Sequence, residues 1–195
     1  MSEPARPRHA DHPIAPLFVE RWSPRAMSGE ALGDEHLMRL FEAARWAPSA
    51  NNSQPWRFLY ACRDTAHWPL FFELLGDGNK RWCSHAGALI VVLSATHFAH
   101  NGKPARLHSF DAGAAWMSLA LQGSLDGLVV HGMQGFNDAR AREALGVPQD
   151  YAVEIMIAVG KPAPRDTLPE DLQAREQASD RRRITDSVRA GLFAF

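Results

Sequence analysis

Between residues 34 and 44 the apolar positions Leu37, Leu40, Phe41 and Ala44 recur at helical spacing, with Asp34 suited to cap the N-terminus. The spacing predicts a helix running to Ala47-Pro48, where proline stops it. Beyond a polar stretch, residues 57–62 read as a short strand. Leu70, Phe71, Leu74 and Leu75 mark a second helix closed by Gly76 and Gly78, and Asn79-Lys80-Arg81-Trp82 opens a short helix or turn. Residues 88–94, ALIVVLS, are the most apolar β-branched run and predict a central strand buried on both faces. Residues 110–125 are apolar nearly all round and rich in Ala, Gly and Ser. Such a helix is buried on most sides and lets another helix approach closely, which points to a dimer core. Residues 128–131 predict a strand leading into Gly132-Met133-Gln134-Gly135-Phe136. Asn137 or Asp138 can cap a helix through Leu145 ended by Gly146, and residues 153–159 predict a last core strand. The alternation predicts an α+β chain in three layers, helix, sheet and helix.

The ends carry no such pattern. Residues 1–16 contain four prolines and read as a flexible arm, leaving 17–195 as the domain. From Pro162 onward the chain is a Pro- and charge-rich tail with no evident core of its own, anchored by Arg181-Arg182-Arg183-Ile184 and the closing residues 191–195.

Three polar segments interrupt the apolar pattern. In the elbow between Pro48 and Pro55, Asn51-Asn52 tolerates a left-handed backbone, and Pro55 biases Gln54 toward extended geometry. By itself the elbow reads equally as a connector and as a presented polar surface. Arg21, Ser23 and Arg25 can converge on a phosphate, since guanidinium forks match its oxygens, or can form a solvated basic turn. The glycines around Gln134 either let backbone N–H groups approach a ligand or serve a tight strand-to-helix connection. His97, His100 and His108 share one loop without the carboxylate or cysteine that would complete a metal ligand set.

Composition narrows the function classes. In 195 residues, 21 basic and 22 acidic side chains leave no field to steer nucleic acid or an anionic membrane. No apolar run reaches the ~20 residues of a membrane span. Cys62 and Cys83 are the only cysteines and no signal-like apolar core opens the chain, so a cytoplasmic protein with reduced thiols is expected. The six tryptophans fit core packing, a subunit interface or a flat ligand. There is no Rossmann glycine fingerprint, no P-loop and no nucleophile elbow, so the chemistry is expected from a bound cofactor that the protein positions.

Arg21-Trp22-Ser23-Pro24-Arg25, then Ala47-Pro48-Ser49-Ala50-Asn51-Asn52-Ser53-Gln54-Pro55-Trp56, then His131-Gly132-Met133-Gln134-Gly135-Phe136, resemble the ordered motif series of the nitroreductase family of flavin enzymes. The resemblance covers about residues 17–195. It implies a homodimer of the family's α+β sandwich, with the long central helix at the dimer interface and the tail 162–195 packing on the partner subunit. It also implies FMN at two sites along that interface and NADH or NADPH as co-substrate. Similarity places Arg21, Ser23 and Arg25 at the phosphate and ribityl end. Pro48, Ser49, Ala50 and Asn52 would reach the flavin from the neighbouring subunit. Asn79 would face the pyrimidine edge, Gln134 and Gly135 would lie beside the hydride-carrying N5, and Arg181 and Arg182 would return to the phosphate. The implied reaction is ping-pong hydride transfer from NAD(P)H through the flavin to an electron-poor acceptor such as a nitroaromatic, quinone or enone. It needs no side-chain acid or base, so no catalytic residue is named. Acceptor choice is expected in the loop of residues 95–108 and around residues 68–75.

The departures from the family pattern are Trp22 and Trp82, where many members have basic residues, and Gly87, where a proline often follows the preceding alanine. Trp82 in place of a cation beside the pyrimidine edge implies a lowered flavin reduction potential. Two other readings remain: a different flavin reaction on the same fold, such as reductive dehalogenation, and a flavin-binding redox sensor without fast turnover.

Overall fold

The structure, a computed structural model, describes residues 8–193; residues 1–7 of the expected arm and the closing pair 194–195 lie outside the described residues. Helices α1 (Pro16–Glu20) and α2 (Asp34–Arg45) precede strand β1 (Trp56–Cys62). Helices α3 (Trp68–Glu73) and α4 (Asp77–Cys83) lead to β2 (Ala88–Ala95) and the long α5 (His108–Leu125). Strand β3 (Val129–Met133), helix α6 (Asp138–Ala144), strand β4 (Tyr151–Gly160) and helix α7 (Glu170–Gln173) complete the order.

The strands form one sheet in the order β1-β2-β4-β3, antiparallel at every pair. Central β2 is buried from Ala88 through Ser94, because each face of the sheet carries its own core. Ile90 and Val92 face a cluster with Leu37, Leu40, Ala44 and Leu119 from α2 and α5. Leu89, Val91 and Leu93 face a second cluster with Phe71, Leu74, Trp82, Met133 and Ala141. Two cores on one sheet give the three expected layers, and each fully buried leucine contributes about 1.5–3 kcal/mol. The small residues of α5 bring it close to the sheet: a Cβ on Gly123 would run into Val130 Cγ2. Among the described residues no helix is long and apolar enough to cross a membrane.

Several boundaries differ from the sequence pattern for local reasons. Gly33, not Asp34, occupies the α2 N-cap, and Asp34 sits in the first turn, where its charge favours the helix dipole. Gln54 is not extended but left-handed at φ 47°. Its N–H donates to Ser49 Oγ at 3.0 Å and its Nε2 to Asn52 Oδ1 at 3.2 Å, and these bonds close the turn against the pre-proline preference. The tail does contribute to the chain's own core: Leu168 and Leu172 are buried in the second cluster. In the described part of the arm, Arg8 Nη1 donates to Arg21 O at 2.9 Å, and Asp11 Oδ2 accepts from Ile184 N at 2.7 Å.

Candidate functional site

Strand β3 is an outer strand of the sheet, so among the described residues no other strand pairs with one edge of its backbone. At its middle, His131 borders a polar cavity of about 350 Å³ lined also by Arg8, Arg21, Ser23, Arg25, Arg175 and Arg181. The segment bearing the first arginines is held there by His131 Nδ1, which donates to Pro24 O at 2.8 Å. Buried Glu176 Oε1 accepts from the backbone N–H groups of Arg25 and Ala26 at 2.7 and 2.9 Å, tying the tail to the same segment.

This cluster holds more positive charge than its own carboxylate balances. Burial, then the charges of Arg181 and Arg8, push the Arg21 guanidinium below its ordinary value. Arg21 Nε is buried without an acceptor. A converging set of forks with an orphaned donor is suited to a multiply charged oxyanion. Arg181 lines the cavity as expected. Arg182 does not, and Arg175, which no motif distinguishes in the sequence, does.

Burial also lowers the pKa of His131 below its ordinary 6.5, with Arg25 adding to the shift and Pro24 and Glu176 opposing it. Below 6.5 the unfolded chain binds a proton that the native one resists. Stability from this group is therefore present above about pH 6.5 and lost as pH falls through the lowered value. The urea midpoint is expected to drop between about pH 7.5 and about pH 5.5, and to drop less in His131→Asn. Equal drops in both proteins would refute this origin.

At the other end of β3, the turn Gln134-Gly135 is pinned by α4. The Gly76 N–H and Asn79 Nδ2 both donate to Gly135 O, each at 2.9 Å. A Cβ on Gly135 would lie 2.8 Å from Asn79 Nδ2, so any side chain there would displace the Asn79 amide. Asn79 Oδ1 in turn accepts from Trp82 Nε1 at 3.2 Å. Asn79 is thus oriented from both ends of its amide and retains one N–H and one lone pair for a ligand. Trp82, 2% exposed, packs on His131 with ring centroids 4.6 Å apart. It is a core residue that links the two ends of the site.

The elbow is built separately, against the first turn of α5. Asn51 and Asn52 are left-handed at φ 53° and 51°, as asparagine allows. Asp111, 4% exposed, accepts from the Ala50 N–H at 3.0 Å. An acid within the apolar run 110–125 was the visible signal of this anchor. Ser49 Oγ is engaged by the Gln54 N–H, so Ser49 shapes the elbow, while Pro48 and Asn52 are exposed. None of the hydrogen bonds of Pro48, Ser49, Ala50 or Asn52 reaches Gln134, Gly135 or the arginine cluster.

A third feature escapes the motif series. A cavity of about 290 Å³ lies between α5 and the sheet, walled by Ala112, Gly113, Trp116, Val92 and Ile155, with Gln134, Glu154 and Ser109 as polar members. His108, expected in the histidine loop, is instead the first residue of α5, with its Nδ1 2.7 Å from Ser94 Oγ. Among the described residues no group of three or more His, Cys, Asp and Glu could hold a metal ion.

The sequence model described as the nitroreductase family matches residues 19–68, the segment with the Arg21–Arg25 motif and the elbow. A Streptomyces coelicolor protein, named by inference as an NADH dehydrogenase/NAD(P)H nitroreductase, is 27% identical over 171 residues, covering 76% of this chain and 83% of its own. The crystal structure of an oxidoreductase containing FMN is 45% identical, with a TM-score of 0.93, covering 100% of this chain and 99% of its own. An inferred nitroreductase from Desulfovibrio desulfuricans, solved in complex with FMN, shares the fold at a TM-score of 0.72 with 23% identity, covering 95% of this chain and 100% of its own. With an FMN-containing relative 45% identical over its full length and residues 19–68 matched by the family's model, this chain belongs to the nitroreductase family.

Proposed function

We propose that the chain is an FMN-dependent oxidoreductase that takes reducing equivalents from NADH or NADPH and delivers them to an electron-poor small molecule. One observation carries the reading: an anion cradle with an orphaned arginine donor and an amide-lined glycine turn sit at two places along one unpaired strand edge. From His131 to Gln134 the strand advances ~10 Å, about the reach of an extended ribityl phosphate. The oxidoreductase that is 45% identical contains FMN, which supports the same group here.

In this reading Arg21, Ser23, Arg25, Arg175 and Arg181 hold the phosphate. Gln134 and Gly135 present backbone amides to the ring, and Asn79, locked by Trp82, offers its remaining N–H and lone pair to the ring's polar edge. FMN held there would supply two-electron chemistry linking a nicotinamide hydride donor to the acceptor, the ping-pong exchange of this reading. The chain's own nucleophiles are ill suited to replace it: burial pushes the Cys83 thiol far up, and Cys62 is raised by burial and by Asp34.

The elbow's Pro48, Ser49, Ala50 and Asn52 complete the pocket of a second copy. Along α5, Phe110 is 75% and Leu125 66% exposed, an apolar face that a homodimer would cover. A purified yellow protein whose flavin band bleaches anaerobically on NADH or NADPH, and which sediments as a dimer, is the expected result. A colourless chain that ignores added FMN would sink the reading. A yellow protein that does not bleach would favour the binding or sensing role instead.

A further inference from the structure

Strands β2 and β4 pair regularly except at one step. Val92 lies opposite Ile155 and Leu93 opposite Val153, so Glu154 is an extra residue with no partner across the ladder. Such a bulge re-aims a side chain. Here it brings Glu154 to the face that meets α5, where it lines the 290 Å³ cavity together with Val92 and Ile155.

The carboxylate is fixed by one oxygen only. Glu154 Oε1 accepts from Ser94 Oγ and, at 2.8 Å, from Ser109 Oγ, with His108 Nδ1 3.4 Å away. Ser94 has a single hydroxyl proton and gives it to Glu154, so in the 2.7 Å contact between Ser94 and His108 the imidazole Nδ1 is the donor. Glu154 Oε2 takes no hydrogen bond among the described residues and is not among their buried unpartnered atoms, so it stays open. The other walls are chiefly apolar, and Trp116 Nε1 is buried without an acceptor. A cavity of roughly 150 Å³ already accepts benzene, so this one has room for a substituted aromatic ring. An open carboxylate oxygen in apolar surroundings binds a charged donor more strongly than a neutral one.

We propose that this cavity is the acceptor pocket and that it selects aromatic acceptors bearing an ammonium or amidinium group, the ring against Trp116 and the cation on Glu154 Oε2. The proposal rests on the flavin reading, because Gln134 belongs both to the cavity wall and to the turn beside the flavin.

The test is calorimetric titration of FMN-loaded and flavin-free protein with benzylammonium and with its neutral isostere benzyl alcohol. In the FMN-loaded protein benzylammonium is expected to bind at least about tenfold more tightly. Glu154→Gln, whose amide oxygen still accepts from Ser94 and Ser109, should lose that preference while keeping the neutral probe. Gly113→Leu, placed where an added Cβ meets nothing within 4 Å, should fill the cavity and lose both probes. Equal affinities for the two probes, or a preference that survives Glu154→Gln, overturn the proposal. Binding confined to the flavin-free protein also overturns it, since the cavity would then belong to the flavin. A chain that takes up no FMN overturns the flavin reading and the acceptor role with it. In that protein, a cation preference removed by Glu154→Gln would still support recognition by Glu154.

Discussion

Arg21→Ala is expected to weaken FMN retention by about 10- to 100-fold while leaving the flavin-free chain as stable as before, or slightly more so. The first part follows from losing a charge-assisted fork to phosphate, worth about 1.5–3 kcal/mol. The second follows from the surroundings: Arg21 is held near Arg181 and Arg8, whose charges oppose its own. Without the anion, the substitution removes repulsion and an orphaned buried donor, against the loss of only one long bond, the 3.4 Å contact from Nη1 to Ser23 Oγ. Two melting curves and one flavin titration decide it. If flavin affinity is unchanged, the cradle does not hold the phosphate. If the flavin-free protein melts well below wild type, Arg21 is structural. Ligand linkage sharpens the contrast, since saturating FMN raises the wild-type midpoint more than that of the variant.

Replacing Trp82 carries the second large effect, and it depends on the substituent. Trp82→Lys is expected to unfold the chain or destabilise it by at least about 3 kcal/mol, because an ammonium would replace a 2% exposed ring in the core. Comparing its redox midpoint with wild type, the direct way to ask whether a missing cation lowers the flavin potential, would therefore measure folding first. Trp82→Phe keeps a ring against His131 and removes the Nε1 donor to Asn79 together with part of the buried ring volume. That variant should fold, with a loss of about 1–3 kcal/mol from the missing bond and the cavity left by the smaller ring. Its flavin midpoint should move, because Asn79 is no longer oriented. A folded Trp82→Phe with the wild-type midpoint would show that the Trp82–Asn79 bond has no bearing on the cofactor.

Much of the fold was legible because apolar periodicity is a local property. Residues 88–94 are a central strand buried on both faces, and the helical spacing of Leu37, Leu40 and Ala44 maps onto the buried stripe of α2. The left-handed Asn51-Asn52 was readable from side-chain chemistry. Gln54 was not, because its conformation is set by a bond to Ser49 rather than by its neighbour Pro55. The split of residues 68–83 into α3 and α4 was legible from Gly76 and Gly78, but not the contact that fixes it: α4 begins where the Gly76 N–H meets the Gly135 carbonyl, a partner far along the chain.

For the site, the sequence alone determined which residue types were available and in what order: paired arginines, a fixed polar elbow and a glycine turn, together enough for the family resemblance. What surrounds them was decided only by the tertiary structure. Arg175 joins the cradle and Arg182 does not, because Glu176 pins the tail by bonding the backbone of Arg25 and Ala26. Gly87 is explained by the approach of Glu30, whose carbonyl oxygen would lie 2.7 Å from an added Cβ. Glu154 enters the cavity through one unpaired residue in a ladder whose partner strand lies some sixty residues earlier. In each case the cause is a contact between segments distant in sequence, and local pattern holds no trace of such contacts until the chain is folded.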